Sequence, residues 1–311
     1  MSIASVVARQ SLTLGRWQMS MALQTVIMLG IKLSILLSVF GLGLQVTMPE
    51  LTYLFRNPGR FAKSILAIDI VMLLFVLLVL AVTDLPGPVK IALAALSVSP
   101  VPPLMPKKAM KAGGQQSYAV GLLVAVSLIA LVFVPLSVEL IGRLNGVEAH
   151  ISVATVALLM ATVIFAPLLA GFMLRAVMPG LAERAVKPIG AIAGILLILC
   201  VLPVLRGALP HIWSLVGDGA LVAFVGFVLV GLAAGHFLGG PDGDDRTVLA
   251  IATASRHPGM AIAIGASSFP AQKLVVPAVL MYLLVGPKVS FPYISWRKRH
   301  VAALHLPMAM K

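Results

Sequence analysis

The sequence predicts an all-α membrane protein with about nine transmembrane helices, and three observations carry that expectation. Of the 311 residues 60% are hydrophobic and 11% charged, with a mean hydropathy of +1.07, whereas soluble domains carry roughly 25% charged residues. The apolar residues fall into continuous runs of about 20, the length that crosses a hydrocarbon core of about 30 Å. Those runs do not alternate apolar and polar positions, so the period-two pattern of a membrane barrel is excluded.

The first run, 25–46, follows a weakly basic stretch, 1–23. It is too long for a signal-peptide core and has no small-residue cleavage site, so it reads as a retained span. Runs 61–82, 118–141, 151–177, 189–209, 215–238 and 274–292 are each continuous and apolar enough for one span. Runs 89–112 and 247–269 are also long enough, but both are interrupted. In the former, Pro100, Pro102, Pro103 and Pro106 lie within seven residues; in the latter, Arg256-His257-Pro258-Gly259 breaks the apolar pattern. A single proline kinks many membrane helices, whereas four in close succession each remove an N–H and disturb the preceding turn, which predicts loss of helix. The connections are too short to hold a soluble module. The domain plan is therefore an N-terminal tail 1–23, one transmembrane domain 24–292 of interleaved helices, and a basic tail 293–311.

A net charge of +13 does not point to nucleic acid here, because the basic residues gather in alternate loops. Arg56, Arg60 and Lys63 follow the first run, Lys107, Lys108 and Lys111 close the third, Arg175, Arg184 and Lys187 follow the fifth, and Arg297, Lys298 and Arg299 follow the last. The positive-inside bias then places these loops and the C-terminus in the cytoplasm of a cell (inner) membrane, with the lipid bilayer as the partner. Arg9, Arg16 and the acidic stretch Asp242-Gly243-Asp244-Asp245 run against that pattern. The acidic stretch lacks the ligand spacing and closing Glu of a calcium loop and reads as a solvated loop. Cys200, the one cysteine, lies in an apolar run and reads as packing.

The two interruptions fall in the third and eighth runs, an odd offset, so the two segments cross in opposite directions. Paired, broken spans in oppositely oriented halves are the sequence pointer to an inverted-repeat secondary transporter with its site near the midplane. A guanidinium there costs about 3 kcal/mol on insertion scales, so Arg256 needs a partner. Asp69 is the only acid well inside an apolar run, and an Arg256–Asp69 ion pair is the expected solution. Arg256 also offers a planar donor fork to an anionic substrate, with Asp69 taking a proton. His257 is a candidate proton relay or a hydrogen-bonded spacer. Lys107 can reach a substrate carboxylate or snorkel to headgroups. Thr253, Ser255 and Ser99 can donate to a substrate or satisfy backbone groups freed by the breaks. His236 reads as a packed, hydrogen-bonded side chain. No nucleotide loop, metal helix or nucleophile turn is present, so no enzyme activity, cofactor or metal is implied. A membrane-embedded enzyme, or a channel or receptor, built on Arg256, His257 and Asp69 is the alternative.

Phe40-Gly41-Leu42-Gly43-Leu44, the Arg56-Asn57-Pro58 loop, the proline-rich break before Lys107, and Ser255-Arg256-His257-Pro258-Gly259-Met260-Ala261 together resemble the bile acid:sodium symporter superfamily. The likeness extends from about 24 to 292 and is to members with nine helices. It implies a core domain with two crossing, unwound helices, a separate panel domain, alternating access between them, and a small organic anion as substrate. It also implies sodium coupling, through a Ser-Asn pair at the first break and a Glu, Gln and Asn at the second. The matching positions here are Met105 and Pro106, then Ala252, Arg256 and His257, and Asp69 lies within one residue of a further polar ligand position. Sodium takes oxygen ligands, and these replacements remove side-chain oxygens and add a positive charge, which argues against sodium and leaves a proton or no coupling ion.

Overall fold

The computed structural model describes residue 23 and residues 25–144 and 151–304. Most of the stretch 1–23, with Arg9 and Arg16, and the end of the basic tail lie outside the described residues. In chain order the helices are α1 (Thr25–Gly43), α2 (Met48–Leu51), α3 (Pro58–Val82), α4 (Gly87–Val98), α5 (Met105–Lys111), α6 (Gln116–Leu144), α7 (Val153–Val177), α8 (Pro179–Trp213), α9 (Ala220–Leu238), α10 (Gly243–Ala254), α11 (Pro258–Ser268) and α12 (Val275–Leu304). No strand occurs among the described residues. Seven of these helices, α1, α3, α6, α7, α8, α9 and α12, are long and apolar enough to cross a membrane. The chain is an integral, multi-pass membrane protein. Helix α12 continues past 292 to Leu304, so much of the basic tail extends the last helix.

The remaining apolar runs are each two short helices. Helix α4 ends at Val98 and α5 begins at Met105; between them Pro100, Pro102 and Pro103 cannot sustain the i→i−4 ladder. Helix α10 ends at Ala254 and α11 begins at Pro258. The ring of Pro258 disfavours helical backbone at the residue before it, and His257 is extended at φ −76°, ψ 103°. Helix α3 is unbroken but loosens into a π-turn over Leu66–Val71, the turn that carries Asp69. A shift from i→i−4 to i→i−5 bonding leaves a carbonyl in such a turn short of its usual partner, which is why π-turns gather at functional sites.

Helices α1, α7 and α8 pack on one another. Glycines let α1 and α7 touch backbone to backbone: a Cβ on Gly43 would stand 2.2 Å from the Leu168 carbonyl oxygen, and one on Gly171 2.2 Å from that of Phe40. Ser34 Oγ donates to the Ala193 carbonyl at 2.6 Å, tying α1 to α8, and the half-buried Cys200 packs against Gly30. The outer face of α8 exposes Ile192, Ile195, Ile198, Leu199 and Leu202, which carries no penalty where the neighbour is lipid. The main core is one cluster: Leu93, Leu96, Tyr118, Phe224 and Phe227 belong to it together with Val39 and Leu42 of α1, Met160 and Leu168 of α7 and Ile212 of α8.

Candidate functional site at the crossing of two broken helices

The four half-helices pair crosswise. Helix α4 packs on α11, and α5 packs on α10, so the first half of each broken segment lies beside the second half of the other. The unwound stretches meet at the centre, where the His257 N–H donates to the Pro100 carbonyl at 2.9 Å. Helix α9 supports one arm from behind. Its Gly231 and Gly235 and the capping Gly239 form a stripe at four-residue spacing, and a Cβ on Gly235 would fall 2.4 Å from Ala250 Cα. Small residues at that spacing let two membrane helices approach to backbone contact.

Arg256 sits at the junction with a relative exposure of 1%. One guanidinium nitrogen, Nη1, donates to the Ser99 carbonyl at 3.1 Å, and Nη2 donates to the Ile68 carbonyl in the π-turn of α3. The guanidinium carbon lies 5.9 Å from the centre of the Phe227 ring, a cation–π distance. The Arg256 backbone N–H donates to Tyr282 Oη at 2.8 Å, and that hydroxyl donates to the Ala254 carbonyl at 2.8 Å. Tyr282 thus closes the ladder that ends with α10, and Arg256 links both unwound stretches to α3.

The expected ion pair between Arg256 and Asp69 is not formed. Arg256 reaches Ile68, the residue before Asp69, but takes its carbonyl; the ion pairs among the described residues are Arg60–Asp242, Arg60–Asp245 and Arg143–Glu139. The physical reason is local: the breaks and the π-turn expose carbonyl oxygens whose dipoles already solvate the guanidinium. Three buried atoms at this centre have no hydrogen-bond partner: Arg256 Nε, Asp69 Oδ2 and His257 Nε2. His257 Nδ1 accepts from the Met260 N–H at 3.2 Å and caps α11, which leaves the proton on Nε2, a donor without an acceptor. Two donors and one acceptor are left over, all from residues 5% or less exposed.

The other predicted residues divide cleanly. Ser99 Oγ donates to Ala95 at 2.6 Å and Thr253 Oγ1 to Leu249 at 2.8 Å, both back onto their own helices. Ser255 is buried at the end of α10. Met105 is buried at the start of α5 and Pro106 follows it. Lys107 leaves the crossing: its Nζ lies 3.8 Å from where a Cβ on Gly41 of α1 would stand, close to Ile189 of α8. His236 packs as expected, with Nδ1 2.9 Å from Tyr293 Oη. The acidic stretch needs a correction. Asp245 is 2% exposed and pairs with Arg60 at 2.8 Å, while Asp242 pairs with the same arginine at 3.0 Å. A cation supplied by α3 turns one side of the expected solvated loop into a buried contact. Burial pushes the Asp245 carboxyl above its ordinary 3.8, with Arg60 acting in the opposite direction.

Sequence reasoning missed Tyr282, the glycine stripe of α9 and the Ile68 carbonyl. The stripe was readable as Gly-x-x-x-Gly-x-x-x-Gly; Tyr282 lacks a distinctive local pattern, and a carbonyl leaves no mark in a sequence.

A multi-pass helical protein whose buried polar groups converge where two broken helices cross belongs to the class of membrane transporters. The model of the sodium bile acid symporter family matches residues 32–215, more than half of the chain, and the chain belongs to that family. Its members are transporters and not enzymes. The match ends before α9, so Asp69 and the first break lie inside it and Arg256 and His257 beyond it. No curated protein sequence matches the chain.

Proposed function

We propose that the chain is a secondary transporter that moves a small organic anion by alternating access and does so without sodium at the crossing. The single observation that carries this reading is the buried Arg256 guanidinium, bonded to the Ser99 and Ile68 carbonyls at the junction of both unwound stretches. A hard cation would need those oxygens, and Met105, Pro106 and Ala252 supply no side-chain oxygen in their place. Arg256 then does for the fold what a metal does elsewhere: it holds carbonyl dipoles together with a positive charge.

On this reading each broken segment counts as one crossing and the chain makes nine, with the crosswise pairing of α4 with α11 and α5 with α10 supporting two oppositely oriented repeats. Helices α1, α7 and α8 form the panel and the rest the core, with the C-terminus on the cytoplasmic side of the cell membrane. Lys107 stands where panel and core face each other and offers a cation to the substrate anion. Arg256 Nε and His257 Nε2 are the spare donors, and Asp69 Oδ2 the spare acceptor, through which a proton or the substrate itself engages the core. Uptake of radiolabelled taurocholate, used as a probe, into proteoliposomes with sodium replaced by choline tests the reading. Undiminished, saturable uptake is expected for wild type, and strict dependence on sodium refutes it.

A further inference from the structure

Apart from the crossing, a cavity of about 400 Å³ opens between the end of α3, helix α4, the end of α6, and α11 with the loop after it. No residue of α1, α7 or α8 lines it, so it is separate from the boundary on which Lys107 stands. Its walls are apolar, with Leu80, Ile91, Ala94, Val138, Ile264 and Phe269, and it lies within the range of about 300–1,000 Å³ typical of small-molecule sites. Two polar side chains line it, Lys90 and Gln272. Lys90 is half-buried in the first turn of α4, and its side chain makes no ion pair or hydrogen bond with any described residue; Arg143, beside the lining Gly142, is already paired with Glu139. The mouth is open at Gly87, where a Cβ would meet nothing within 4 Å. From Lys90 to Val98, both lining the cavity, α4 rises about 12 Å.

One unpartnered cation at the mouth of an apolar slot describes its occupant: a single negative charge at one end of a hydrocarbon chain. We infer that the cavity binds a medium-chain carboxylate, with the carboxylate on Lys90 and Gln272 and the alkyl chain along Ile91, Ala94 and Val98. The positive end of the α4 dipole adds to the attraction. A neutral occupant gains no charge-assisted contact from the Lys90 ammonium.

The test uses the full-length protein in nanodiscs of zwitterionic lipid, titrated with radiolabelled decanoate and, in parallel, with decanol, and corrected against empty discs. Saturable decanoate binding at one site per chain is expected. Lys90→Gln weakens it roughly tenfold, the loss of one charge-assisted contact, and Lys90→Arg retains it. Decanol binds weakly and equally to both. Ala94→Phe, which fills the slot, abolishes binding; if that variant does not fold, the two Lys90 variants at the mouth still decide the matter. Equal decanoate affinity in wild type and Lys90→Gln overturns the assignment. So does displacement of decanoate by anionic phospholipid added to the discs, which would make a membrane lipid the occupant.

Discussion

Replacing Arg256 with alanine removes the charge that the crossing is built around and leaves the Ser99 and Ile68 carbonyls buried without a donor. Each unsatisfied carbonyl costs about 1–3 kcal/mol, so the two together cost about 2–6 kcal/mol. Against that, the variant no longer buries a guanidinium, which relieves about 3 kcal/mol on insertion scales. The net effect lies between a gain of about 1 kcal/mol and a loss of about 3 kcal/mol, small enough for the variant to fold. What changes qualitatively is its response to ions. Two carbonyl oxygens and the nearby Asp69 carboxylate become available as hard ligands, the kind sodium takes. A site with an affinity of roughly 15 mM in about 150 mM sodium recovers about 1.4 kcal/mol, a rise in Tm of about 2–5 °C. Thermal unfolding of both proteins in matched sodium and choline buffers measures it. Wild type is expected to unfold at the same temperature in both, and Arg256→Ala to unfold higher in sodium. If wild type is itself stabilised by sodium, or if both proteins ignore the exchange, the guanidinium is not standing in for a cation.

Other perturbations give separate readouts. Tyr282→Phe removes the hydroxyl that serves the Arg256 N–H and the Ala254 carbonyl, and leaving both buried groups unpaired costs about 2–6 kcal/mol, seen as a lowered Tm; an unchanged Tm would mean that the end of α10 is held some other way. Gly235→Ala puts a Cβ 2.4 Å from Ala250 Cα and forces α9 and α10 apart, so the folded yield of this variant falls sharply, while Gly190→Ala, with nothing within 4 Å, is tolerated. Asp245 binds its proton more tightly in the fold than the ordinary 3.8. The folded state therefore holds more protons over that window, and the Asp245 contribution is full below 3.8 and declines as pH rises through the raised value. Asp245→Asn is expected to flatten the dependence of Tm on pH across the acid range, and a slope unchanged from wild type would contradict it.

Much of this architecture was legible because membrane helices announce themselves through continuous apolar runs, and because proline is incompatible with helix interiors wherever it clusters. The gap between α4 and α5 falls on Pro100, Pro102 and Pro103, and that between α10 and α11 is set by Pro258, all visible in the sequence. The charge in the second gap marked Arg256 as the residue to explain. Its partners were not legible: the search for a counter-charge led to Asp69, one residue beyond the atom that Arg256 uses. Side-chain chemistry can be read from a sequence, but a backbone carbonyl freed by a π-turn cannot. Asp245 was misread for a related reason, since its partner Arg60 lies 185 residues away in the chain and only tertiary packing brings it near. Tyr282 escaped notice because an aromatic residue in an apolar helix ordinarily signals packing, and its hydroxyl acquires a role only where α10 stops.

The central claim is that a fixed guanidinium holds the position a mobile cation would otherwise need. Binding of radioactive sodium to the purified protein tests it most directly, with wild type and Arg256→Ala compared at equal concentration and ionic strength. The account predicts no saturable sodium binding to wild type and measurable binding to Arg256→Ala. Saturable binding to wild type, lost when Arg256 is removed, would contradict it.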